Sequence, residues 1–116
     1  MGYRSKVIIG VKEGKLSKQF EEILSKHDMK PSTDWLRVCV KDDMKIFVFN
    51  QIKWYYTDEW CDDIMNFLKL NDCKIDAQQI NGFVFCIGLG EDGQTHSEIG
   101  DHWDYVDQEC TITLIN

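Results

Sequence analysis

Apolar residues in this chain recur every second residue in some stretches and every third or fourth in others. The order of those stretches limits the fold more than any other feature. A period of two marks a strand, and a period near 3.6 marks one face of a helix. Ser5 to Lys12 carries the β-branched Val7, Ile8, Ile9 and Val11 and reads as a strand. Gly14 breaks it. Leu16, Phe20, Ile23, Leu24 and His27 then fall at helical spacing, with Lys18, Glu21, Glu22 and Lys26 on the wet side. Pro31 and Ser32 end that unit. Leu36 to Lys41 alternates again, Asp42-Asp43 offers a turn, and Lys45 to Tyr55 follows as a long second strand. Ile46, Phe47, Val48 and Phe49 are consecutive, so both faces of that strand are expected to be at least partly covered.

Thr57 is the expected N-cap of a second helix, with Asp58 and Glu59 favourable in its first turn. Trp60, Ile64, Phe67 and Leu68 form its apolar stripe, and Asn71-Asp72 closes it. Phe83 to Leu89 reads as a strand, Gly90 to Gly100 as a polar loop, and Tyr105 to Ile115 as a last strand. The order β-α-β-β-α-β-β predicts one α+β domain over residues 1–116. Its expected form is a two-layer sandwich, ferredoxin-like in the first six elements, with an added C-terminal strand. A chain of 116 residues has room for one core. No stretch approaches the roughly 20 apolar residues of a spanning helix, and Met1 to Lys12 holds no signal-like run, so no membrane role is expected.

Charge is distributed unevenly. The chain has 13 Lys and Arg, 20 Asp and Glu, and a net charge of -7. All of the bases lie before residue 75. Beyond it stand only acids: Asp76, Glu91, Asp92, Glu98, Asp101, Asp104, Asp107 and Glu109. A single-sign segment attracts cationic partners and repels phosphate backbones, which disfavours direct duplex DNA binding. Gly88-Leu89-Gly90-Glu91-Asp92-Gly93 is neither a P-loop nor a dinucleotide fingerprint and reads as a tight turn presenting Glu91 and Asp92.

The cysteines are Cys39, Cys61, Cys73, Cys86 and Cys110. Their count is odd, no pair has C-x-x-C spacing, and three sit among apolar or strand-like residues. They are expected to be buried, reduced and unreactive, as in a cytoplasmic protein. His96 and His102 lie among carboxylates but match no compact ligand motif, so no metal and no cofactor is expected. No serine sits in a nucleophile-elbow context, and no set of catalytic roles assembles. A small metal-dependent hydrolase using the His96/His102 region is the weakest of the functional readings.

The densest aromatic-basic cluster is Lys53-Trp54-Tyr55-Tyr56, with Trp60 one helical turn on and Arg4 near the N-terminus. Aromatic faces stack on bases and cations hold phosphates, so Arg4, Lys53, Trp54 and Tyr55 form a candidate nucleotide pocket. The plainer reading has Trp54 and Trp60 filling the core where strand meets helix.

Met1-Gly2-Tyr3-Arg4-Ser5, Ile52-Lys53-Trp54-Tyr55, a short acidic helix with Phe67-Leu68, and Phe85-x-Ile87-Gly88 with Glu91-Asp92 form a recognisable set. Together they resemble a loose group of small bacteriophage-encoded proteins of uncharacterised function. The resemblance implies a host-takeover or counter-defence role in the host cytoplasm. The leading expectation is therefore a non-enzymatic phage accessory protein that binds and inhibits a host protein with a basic surface. Glu91, Asp92, Glu98, Asp101, Asp104 and Asp107 would dock on that surface, with Trp103 or Tyr105 as aromatic anchor. The alternative is a sponge that sequesters a nucleotide immune signal at Arg4, Lys53, Trp54 and Tyr55. An exposed edge strand, Leu36–Lys41 or Thr111–Ile115, also makes a homodimer an expectation.

Overall fold

In the computed structural model, the structure describes residues 4–29, 35–55, 57–71 and 84–100, together with the backbone of 106–108 and 112–114. The elements run β1 (Ser5–Lys12), α1 (Lys15–Lys26), β2 (Leu36–Lys41), β3 (Met44–Ile52), α2 (Glu59–Leu70), β4 (Val84–Gly90), β5 (Thr95–Ile99), β6 (Val106–Gln108) and β7 (Ile112–Leu114). β1 to β5 form one antiparallel sheet in the order β2-β3-β1-β4-β5. The chain is thus α+β, and its two helices and sheet are compatible with a two-layer sandwich. Among the described residues, no helix is long and apolar enough to cross a membrane.

β1 lies at the centre, with β3 on one side and β4 on the other. Its alternate residues Val7, Ile9 and Val11 join the larger core with Phe20 and Leu24 of α1 and Ile64 and Leu68 of α2. Both helices therefore cover the same face. Ile8 belongs to a second buried cluster on the other face, with Ile46, Val48, Phe85 and Ile87. Burial on both faces explains the unbroken apolar runs of β1 and β3. Gly10 pairs with Phe85, and a Cβ at Gly10 would stand inside the Phe85 ring. The glycine leaves the place that the aromatic ring fills.

α1 starts at Gly14, where Ser17 Oγ accepts from Gly14 N and donates to Gly14 O, both at 3.0 Å. The N-cap of α2 is Asp58, one residue after the expected Thr57. Glu59 and Asp62 in its first turn complement the helix dipole. The helices are joined by His27 Nε2 at 2.7 Å and Lys26 Nζ at 3.4 Å from Asp63 Oδ2. Between them Phe20 meets Phe67, with ring centroids 5.7 Å apart. The Asp42-Asp43 turn joins β2 to β3, with φ of 52° and 64°. Positive φ at both central residues is the two-residue hairpin geometry that suits strand twist.

Three further expectations are corrected. The segment Gly90 to Gly100 is not all loop: after a tight turn it forms β5, the sheet's fifth strand. Only Ser97 and Ile99 of β5 are buried, and one of those is polar, so its alternation leaves little apolar signal. Tyr105 to Ile115 is not a single strand added to this sheet. It contains β6 and β7, which pair with each other, Val106 opposite Leu114. Cys39 is exposed, because β2 is an edge strand, whereas Cys61 and Cys86 are buried. Burial, with Asp58 and Asp62 nearby, pushes the Cys61 thiol up to about 12, and burial raises Cys86 as well. Cys73 and Cys110 lie outside the described residues.

Candidate functional site

One end of the sheet gathers the start of β1, the end of β3 and the β4–β5 turn, since Ser5 pairs with both Ile52 and Gly90. Each neighbouring strand is irregular there. On β3, Asn50 and Gln51 together oppose the single Lys6, and Gln51 has a φ of 52°. On β5, His96 is an extra residue between the partners of Gly88 and Leu89. Bulges of this kind re-aim side chains and recur beside functional sites.

Arg4 is held between these strands. Its backbone N donates to Glu91 Oε1 at 3.3 Å, and its carbonyl accepts from Glu91 N at 3.0 Å. Its Nη1 donates to the Gln51 carbonyl at 3.2 Å. Asp92 Oδ1 accepts from Gln94 N at 3.1 Å and closes the turn. Trp35 is drawn in from the other side, because its carbonyl accepts from Asn50 N at 2.8 Å.

Two adjoining clefts open at this end. The larger, about 1120 Å³, is lined by Arg4, Lys6, Trp35, Asn50, Glu91 and Asp92 among others. The smaller, about 550 Å³, is lined by Arg4, Trp35, Gln51, Lys53, Asp58 and Trp60 among others. Arg4, Trp35 and Gln51 are common to both. Together they are large enough for a small organic ligand, for which about 300–1,000 Å³ is usual. Their chemistry is mixed: half-buried indoles, three cations and a carboxylate turn. Burial lowers the Lys6 pKa from the ordinary lysine value, and Arg37 lowers it further.

His96 completes this end of the sheet. Its Nε2 and Nδ1 stand 2.9 Å from Ser5 Oγ and Ser97 Oγ respectively. Its ring lies where a side chain on Gly88 would be. Burial pushes the imidazole below its ordinary value, against a weaker upward pull from Asp92. His96 is therefore held by two serines, and His102 lies outside the described residues. Among the described residues, no group of three or more His, Cys, Asp or Glu is arranged to hold a metal ion.

The sites expected from sequence divide as follows. Arg4 and Lys53 come together in the smaller cleft, and both are exposed. Trp54 instead lies in the core, 5% exposed, with its ring 5.4 Å from Trp60 and edge-on to it. Tyr55 is half-buried and does not line either cleft. Glu91 and Asp92 are exposed on the turn, and Glu98 is exposed on β5. Glu91 and Asp92 share the larger cleft with Arg4 and Lys6, so this part of the acidic segment faces cations from the first half of the chain. Asp107 falls on β6. Asp101, Trp103, Asp104 and Tyr105 lie outside the described residues. Trp35, Lys6 and Gln51 were not expected. Their signal is the strand register, which no local pattern carries.

No protein-family model, no curated protein and no solved structure matches this chain.

Proposed function

We propose that this chain is a non-enzymatic binding protein whose ligand is a nucleotide held in the paired clefts. The carrying observation is that Arg4, Trp35 and Gln51 belong to both clefts, with Lys53 and Trp60 in the smaller. Indole faces stack on bases without sequence preference, and guanidinium and ammonium groups hold phosphates. The strain at Gln51 supports a functional end, since backbone strain concentrates at ligand sites. A thermal-shift screen with mononucleotides and dinucleotides tests this. A ligand at 100 times its Kd stabilises the fold by about 2.7 kcal/mol, so a concentration-dependent rise in Tm is expected. No rise with any nucleotide at millimolar concentration overturns the reading.

The second reading is inhibition of a host protein through the acidic segment. Exposure of Glu91, Asp92 and Glu98 at one side of the sheet favours it. Charge reversal at Glu91 and Asp92 would then weaken capture of a basic partner and flatten its salt dependence. The resemblance to phage-encoded proteins supports a host-directed role under either reading, with the host cytoplasm as the site of action. The order β2-β3-β1-β4 with both helices on one face supports the ferredoxin-like description, β5 being an extension beyond β4. The open edge of β2, where Val40 is 55% exposed, supports pairing with a second copy.

A further inference from the structure

We infer that two copies of this chain join edge to edge through β2, in the one register that sets Val38 opposite the partner's Val38. This rests on the pairing of copies read above and adds its register and its relation to the clefts.

The two edges of the five-stranded sheet differ. β5 is interrupted by the extra His96 and presents Thr95 and Glu98, both exposed. A bulge and an exposed charge blunt an edge against further strands. β2 instead keeps its register with β3 unbroken from Leu36 to Lys41. Its Val40 is 55% exposed, and its Cys39 is exposed as well. Among the described residues β3 is its only partner strand.

The hairpin decides which backbone groups that edge offers. The bond from Asn50 N to the Trp35 carbonyl makes these two a hydrogen-bonded pair. Such pairs alternate with non-bonded ones along an antiparallel ladder. Arg37, Cys39 and Lys41 therefore turn their N–H and C=O toward β3, and Leu36, Val38 and Val40 turn theirs outward. A second β2 running antiparallel exchanges bonds only where outward residues meet. With Val38 on the two-fold axis, Leu36 meets the partner's Val40, and every outward N–H and C=O is satisfied. The half-exposed valine then gains an apolar neighbour. A shift of two residues either way strands one outward residue in each copy. It also opposes like charges, which is destabilising. Shifted one way, Arg37 faces the partner's Lys41, and shifted the other way, the partner's Arg37. In the Val38 register Arg37 faces the partner's neutral Cys39. Continuing the ladder sets the partner's Lys41 opposite Trp35, the indole common to both clefts. Each copy thus adds a cation beside the other's site, where an aromatic face attracts it.

The test is the mass of the whole chain by sedimentation, without ligand and with thiols reduced. A dimer that dissociates on dilution is expected, and a monomer at every concentration up to about 1 mM overturns the proposal. Val40→Lys should leave the melting curve intact and shift the chain to monomer. An undiminished dimer in that variant overturns the β2 interface. Cross-linking reads the register. Opposed residues of a non-bonded pair stand about 4.5 Å apart at Cα, within disulfide range. Arg37→Cys should therefore give, on oxidation, a dimer bridged to the partner's Cys39, mapped by mass spectrometry. No such bridge in the variant, or a bridge from Cys39 to the partner's Cys39 in the unaltered chain, overturns the register. No nucleotide is present in these measurements, so their failure leaves the nucleotide reading standing, and a failed thermal-shift screen leaves the dimer standing.

Discussion

His96 Nε2 lies 2.9 Å from the hydroxyl of Ser5, which ties the extra residue of β5 to β1 across the intervening β4. The ring is half-buried, and its neutral form is favoured by desolvation. Folding therefore lowers this imidazole's pKa. Below the ordinary histidine value of about 6.5 the unfolded chain takes up a proton that the folded chain resists. Stability is then full above about pH 6.5 and falls as pH drops through the depressed folded value. Urea melts between pH 8 and pH 5 should show this loss. His96→Gln, which cannot ionise, should flatten the curve over that window.

Gly88 leaves the space that the His96 ring occupies. Gly88→Ala should force the ring aside and cost about 1–3 kcal/mol, as overpacking in a filled core does. The corresponding change at Gly10, where the Phe85 ring takes the space, should be at least as damaging. Chemical denaturation of the two variants checks both.

Asp63 links the ends of the helices, and the His27 hydrogen bond, reinforced by Lys26, holds its carboxyl below the usual aspartate range. A depressed folded pKa gives stability that is present above the unfolded value, near pH 4, and is lost as pH falls further. Asp63→Asn should lower Tm at neutral pH and reduce acid sensitivity below pH 4, a window separate from that of His96.

The β2–β3 hairpin offers a stabilising change. Asp42 and Asp43 both have positive φ, and glycine adopts that conformation at no steric cost. Asp43→Gly should raise stability by about 0.5–1 kcal/mol, read as a shift in the denaturant midpoint. It should leave ligand binding unchanged, since neither aspartate lines the clefts.

Arg4 is exposed, and among the described residues its side chain donates one hydrogen bond, to the Gln51 carbonyl. Arg4→Ala should therefore move Tm little while weakening nucleotide affinity about tenfold or more, as expected when a charge-assisted contact is lost. Isothermal titration beside a melting curve separates the two effects.

The helices and β2 were legible because their apolar residues keep a period, and β1, β3 and β4 because theirs run nearly unbroken with β-branched and aromatic residues. Phe20 and Leu24, or Val7, Ile9 and Val11, each mark a face without help from the rest of the chain. β5 was not legible for the opposite reason. The extra His96 interrupts its alternation, and Ser97 takes an inward place that an apolar residue would have announced. At the clefts, Arg4 and Lys53 could be named from their local cluster. Trp35 could not, because the bond from Asn50 that draws it in joins the residue just before β2 to one on β3, fifteen positions on. Trp54 and Trp60 look alike in the sequence. Only the side on which each falls separates the buried ring from the one at the cleft wall.

The central position of β1 has a consequence for how the chain reaches its native state. β1 leaves the ribosome before both of its partners, and Ser5 waits for Gly90 to be made. Until then this run of valine and isoleucine stays unpaired on the edge that β4 takes, even once β3 has closed the other. Closing it requires a long loop, which slows folding. Assembly should thus finish at the strand synthesised first, and the interval before β4 emerges is when the nascent chain is most exposed to aggregation.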